Sequence, residues 1–117
     1  MKRSLELILV VLAMGCSEYT IPAQHISAPH ASIQRADRMP VTNSKEATER
    51  LARAKRELDA AQGLQAAGQN RHADLMYLRA DADARLAMST SEEQGITAEA
   101  LKVQNQVRAL RSAPQQP

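Results

Sequence analysis

Large apolar side chains are scarce in this chain, and that scarcity limits what it can build. It has no Trp, no Phe and only two Tyr, Tyr19 and Tyr77. From Cys16 onward, 20 of 102 residues are Leu, Ile, Val, Met or Tyr, while Ala occurs 21 times in the whole sequence. A thick core cannot be filled from that inventory. Alanine favours helix and lets backbones approach closely, so the expectation is an all-α fold held by thin Ala/Leu seams. At 117 residues, one small domain is the limit. The same scarcity removes the aromatic platforms on which nucleic-acid bases stack.

Charge and cysteine content exclude further classes. The 15 Lys and Arg nearly balance the 13 Asp and Glu, for a net charge of +2. Their signs alternate along the chain as on solvated helix faces, so no nucleic-acid partner is expected. One Cys rules out a disulfide framework and a four-cysteine metal site.

The N-terminus, MKRSLELILVVLAMGC, has Lys2 and Arg3 ahead of an eight-residue apolar run at 7–14 and then Gly15 and Cys16. The run is too short to span a bilayer core, which needs about 20 residues, and fits the apolar region of a secretory signal. LAMGC resembles the lipobox of bacterial lipoproteins, which implies cleavage between Gly15 and Cys16 and acylation of Cys16. Two or more acyl chains would hold the chain stably to a lipid bilayer. Ser17, rather than Asp, after the Cys implies an outer-membrane destination facing the periplasm.

The expected organisation is a signal peptide at 1–15, lipidated Cys16 and a tether over 16–29, a helical domain over 30–112 and a disordered tail at 113–117. The tether reading rests on Pro22, Pro29 and the lack of periodicity, which suggest a coil of about 20 Å r.m.s. length. A short helix follows, with Ile33, Ala36 and Met39 on one face and Pro40 at its end. Asn43 with Glu46 reads as a capping-box start for a second helix. Its seam is Ala47, Leu51, Ala54, Leu58 and Ala61, with Leu58 central. Glu46–Arg50, Glu49–Arg53 and Lys55–Asp59 are candidate i,i+4 ion pairs, and Gly68 is a natural stop. A third helix from about Arg71 repeats the heptad spacing at Ala73, Tyr77, Ala80, Ala84 and Ala87, with Leu75, Leu78, Ala82 and Leu86 widening the stripe and Arg79–Asp83 and Asp81–Arg85 as ion pairs. The short turn implies an antiparallel hairpin. Ala100, Val103, Val107 and Leu110 form a fresh seam out of phase with the earlier one. Either Thr97 caps a separate C-terminal helix, or one long helix carries a discontinuity; a break or kink at about 89–96 is the expectation.

The stretches ATERLARAKRELDAA and HADLMYLRADADARLA, joined by a Gly-containing turn, resemble the domain of unknown function 4398 family over residues 28–110. That family comprises Ala-rich helical lipoprotein domains, found alone or ahead of an OmpA-like peptidoglycan-binding domain. The resemblance implies envelope localisation and a helical fold, and brings no catalytic residues. The 117 residues leave no length for the second domain, so peptidoglycan binding is not expected.

No catalytic constellation is expected. Of the three histidines, His25, His30 and His72, the first two are five residues apart with Pro29 between them and read as exposed polar side chains rather than metal ligands. Asp81 and Asp83, two residues apart on a helix, face different ways and make a poor acid–base pair. No cofactor, metal or small-molecule substrate is expected. The functional expectation is a structural or adaptor lipoprotein that binds an envelope protein or a copy of itself. The alternative is a peptide-binding module with a tetratricopeptide-like groove.

Overall fold

The computed structural model describes residues 18–114, all in helices and connections with no strand among them. The expected signal peptide, with Gly15 and Cys16, lies outside the described residues. Helix α1 spans Ala23–Arg38, α2 spans Lys45–Ala66 and α3 spans Asn70–Ser112, with a 3-10 turn at Val41–Asn43 after α1.

Two apolar clusters fix how the helices run. Ile33 and Ala36 of α1 meet Leu51 and Ala54 of α2 and Ala84 and Ala87 of α3 in one. Ile21, just ahead of α1, joins Ala61, Ala73 and Tyr77 in the other. The chain therefore runs up, down and up, with α1 alongside α3 and α2 antiparallel to both. The seam is thin by construction. Ala47, Ala54, Ala61, Ala73, Ala80, Ala84 and Ala87 have no exposed surface at all, and Leu51 and Tyr77 are buried with them. Leu58 is only half-buried, and it touches the edge of both clusters.

Local chemistry explains the ends of α2. Its cap is Ser44, whose hydroxyl accepts from the Ala47 amide at 3.1 Å, one residue later than the expected Asn43 start. Asn43 is instead taken up by the 3-10 turn, so no capping box with Glu46 forms. Gly68 ends the hairpin arm at φ +77°. The Gly68 amide bonds to Gln65 O and the Gln69 amide to Leu64 O, the paired 5→2 and 6→1 pattern that a left-handed residue makes possible.

The coil expected over 16–29 is helical from Ala23, with Pro22 as its cap and Pro29 inside it. Pro29 leaves the His25 carbonyl without its helical donor, an arrangement that costs about 3 kcal/mol in an exposed helix. Here the Pro29 ring is fully buried, and tertiary packing of α1 on α3 outweighs local propensity. The expected break at 89–96 is absent: α3 is continuous through Gly95, and the Thr97 hydroxyl donates back to Glu93 O at 2.9 Å rather than capping a new helix. Leu75, Leu78, Ala82 and Leu86 do not widen the buried stripe but face outward. Glu46–Arg50 and Asp81–Arg85 pair as expected, whereas Lys55 reaches across to Asp37 at 2.7 Å and Arg53 towards Asp83.

Adjacent alanines test the close approach. Ala61→Leu should destabilise the fold by about 1–3 kcal/mol, because extra methylenes at a site without free volume force the helices apart. Ala60→Leu, exposed on the same turn, should be near neutral. Urea unfolding followed by circular dichroism measures both.

Candidate functional site

The polar side chains gather at three places along the helical body. At the turn end, Asp74 of α3 is buried at 7% exposure. The Tyr19 hydroxyl donates to its Oδ2 at 2.5 Å, and His25 Nδ1 lies 2.6 Å from Oδ1. Asn70 donates to the Tyr19 carbonyl at 2.8 Å, and the Arg71 guanidinium sits 5.4 Å from the Tyr19 ring centre. Burial alone would raise the Asp74 pKa, but the hydrogen bonds from Tyr19 and His25, with the charge His25 carries when protonated, hold it below the ordinary carboxylate range. The bond to Asp74, followed by burial, pushes the Tyr19 phenol up. This clasp fastens the segment ahead of α1 to the hairpin. It corrects the reading of His25 as an exposed side chain; His30 and His72 are exposed.

Midway along the body, Asp81 accepts from the Ser32 hydroxyl at 2.5 Å and pairs with Arg85 at 3.0 Å, joining α1 to α3. Asp83, two residues on, faces α2, where Arg53 Nε lies 4.0 Å from its Oδ2. Glu57 of α2 meets Asp83 there. Burial, and then the neighbouring Asp83 carboxylate with its shared hydrogen bond, push the Glu57 pKa up against the pull of Arg53 and Arg79. Glu57 Oε2 is buried without a hydrogen-bond partner. Asp81 and Asp83 thus serve separate interfaces, while Glu57 and Asp83 form an acidic pair between helices, of which i,i+4 spacing gives no sign. The heptad lettering held a signal for it. Glu57 and Asp83 each directly precede an a position, Leu58 and Ala84, and such positions flank one another across an antiparallel seam.

Shallow grooves mark the surface among the described residues. One, of about 530 Å³, is lined by Ser27, His30, Ile33, Gln34, Asp37 and Leu58. Another, of about 210 Å³, lies between Pro40 and Asn43 on one side and Ser91, Gln94 and Ala98 on the other. Among the described residues, no three His, Cys, Asp or Glu converge to hold a metal ion, and no helix is long and apolar enough to cross a membrane.

Past Ser91, whose hydroxyl reaches Pro40 O at 3.4 Å, α3 leaves the body. Every residue from 92 to 112 is exposed, including Ile96 at 71% and Leu110 at 77%. The seam residues expected at Ala100, Val103, Val107 and Leu110 do form one stripe, but it faces solvent. The buried stripe ends at Met88 because α2 begins opposite it.

No family model, curated protein or solved structure matches the chain.

The two acidic clusters should respond to pH in opposite directions. Asp74 has a lowered pKa, so the stability it confers is present above its ordinary value of 3.8 and is lost as pH falls through the lowered one. Asp74→Asn should cost about 1–3 kcal/mol at pH 7. Glu57 has a raised pKa, so its favourable form is the protonated one, held below its ordinary 4.5 and lost as pH rises through the raised value. Glu57→Gln should therefore raise the melting temperature at pH 7, and the gain should vanish below about pH 4. Thermal melts across pH check both signs.

Proposed function

We propose that this chain is a non-catalytic bacterial lipoprotein, held in the outer membrane by acyl chains on Cys16, with a periplasmic helical rod in a structural or adaptor role. The resemblance to Ala-rich helical lipoprotein domains belongs to the same proposal. The observation that supports it is the polarity of the rod. Tyr19 is clasped to the turn end, while the free arm of α3 leaves from the opposite end. Three residues from Cys16 to Tyr19 span at most about 10 Å. An anchor at Cys16 would therefore hold the turn end close to the lipid head groups, in place of the longer coil expected from the prolines. The arm would then be the part presented to a partner, at the far end of a helix about 64 Å long.

A second reading, a peptide-binding module, has the 530 Å³ groove beside Ile33 and Leu58 in its favour. Saturable binding of extended peptides, lost when His30 and Gln34 are both changed to Glu, would favour it over the adaptor.

The anchor is tested directly. Labelled palmitate should enter the wild-type protein and be absent from Cys16→Ser, which should accumulate as uncleaved precursor. Density-gradient fractions should hold the wild type with outer-membrane markers. Unchanged incorporation in Cys16→Ser would overturn the lipoprotein reading.

A further inference from the structure

The exposed arm at residues 92–112 has a composition that a solitary helix does not need. Glu93, Ile96, Ala100, Val103, Val107 and Leu110 recur at spacings of 3, 4, 3, 4 and 3, the a and d positions of a heptad repeat. All six are exposed, on a face roughly 130° round the helix from the buried seam. The stripe is therefore not an overflow of the core. It is a second seam, on a different side, with nothing against it among the described residues. The arm stays helical with every residue exposed, although Gly95 and Thr97 lower its helix propensity.

Charge says what covers the stripe. Every acidic residue of the arm, Glu92, Glu93 and Glu99, lies in its first half, and every basic one, Lys102, Arg108 and Arg111, lies in its second. A second arm laid antiparallel sets each acidic half against a basic half. Heptad packing in that orientation pairs a with d, which places Ala100 opposite Val103, Ile96 opposite Val107 and Glu93 opposite Leu110 of the second copy, next to its Arg111. In the same register Ser91, where the arm leaves the body, falls opposite Ser112, where the other α3 ends. The two arms overlap along their whole free length, and neither body meets the other. A parallel, in-register pair would instead set Glu93 against its own copy in the seam, beside two further like charges.

We propose that two copies of this chain associate through antiparallel pairing of their 92–112 arms. The inference deepens the structural reading above, resting on it only in treating the arm as an interaction surface. It does not need the lipid anchor, whose palmitate test can fail or succeed independently.

The experiment uses the full-length chain in dodecyl maltoside. Differently tagged Ile96→Cys and Val107→Cys proteins, prepared like the wild-type control on a Cys16→Ser chain so that no other thiol is present, are mixed and treated with a short bis-maleimide. The mixed product should exceed that from either variant alone, or from either with wild type, by about tenfold, because only antiparallel pairing brings 96 and 107 together. Cross-linking of Ile96→Cys chiefly with itself would mean parallel pairing and would overturn the proposal, as would no product above the wild-type baseline. Charge reversal supplies the second readout. Glu92→Lys with Glu93→Lys should cut the cross-linked fraction about fivefold, and adding Arg108→Glu and Arg111→Glu to the same chain should restore it. Failure of the fourfold variant to recover while its helicity stays at the wild-type level would overturn the charge-directed orientation.

Discussion

Everything in this molecule depends on how closely its helices can approach. Seven alanines with no exposed surface lie along the contact between α2 and α3. A methyl group fills little space, so the backbones come together and the seam closes without large side chains. Each buried alanine removes little apolar area from water, and the largest fully buried side chain is one tyrosine, Tyr77. The apolar contribution is correspondingly thin. Polar contacts add to it along the body: the Asp74 clasp at the turn end, Ser32 with Asp81 midway, and Lys55 with Asp37 on the outside.

That division of labour explains why α1 exists where local rules argue against it. Neither its sixteen residues nor its interior proline would sustain a helix in isolation. It is held at both ends and in the middle by partners on α3: His25 on Asp74, Ser32 on Asp81, and Ile33 and Ala36 in the cluster with Ala84 and Ala87. The clasp favours an ionised Asp74, whereas burial beside Asp83 favours a protonated Glu57. One body thus carries two interfaces with opposite electrostatic preferences.

The parts of the fold written in short-range spacing were legible in the sequence. The 4, 3, 4, 3 recurrence marked α2 and a face on which Ala47, Leu51, Ala54 and Ala61 are buried while Leu58 is only half-buried, and Gly68 marked its stop, because both depend on residues a few positions apart. What depends on partners distant in sequence was not legible. Pro22 and Pro29 spoke for coil, and only docking on α3 makes that segment a helix. The phase slip after Met88 suggested a break. In the structure it marks where α3 runs past the start of α2 and turns a different face to use. His25 looked inert because its partner, Asp74, is 49 residues away.

Anchoring and arm pairing constrain each other through the length of α3. In the antiparallel register the Asn70 ends of two copies stand about 95 Å apart, at opposite ends of the assembly. If Cys16 is acylated, its anchor follows the turn end, so the two anchors of a pair are separated by that distance. Two copies in one leaflet can meet this geometry only when their rods lie along the bilayer surface. Upright rods in one leaflet would bring their arms together side by side and parallel, with Glu93 facing Glu93. The position of one glutamate in the stripe thus links how copies associate to how the rod is oriented on a membrane.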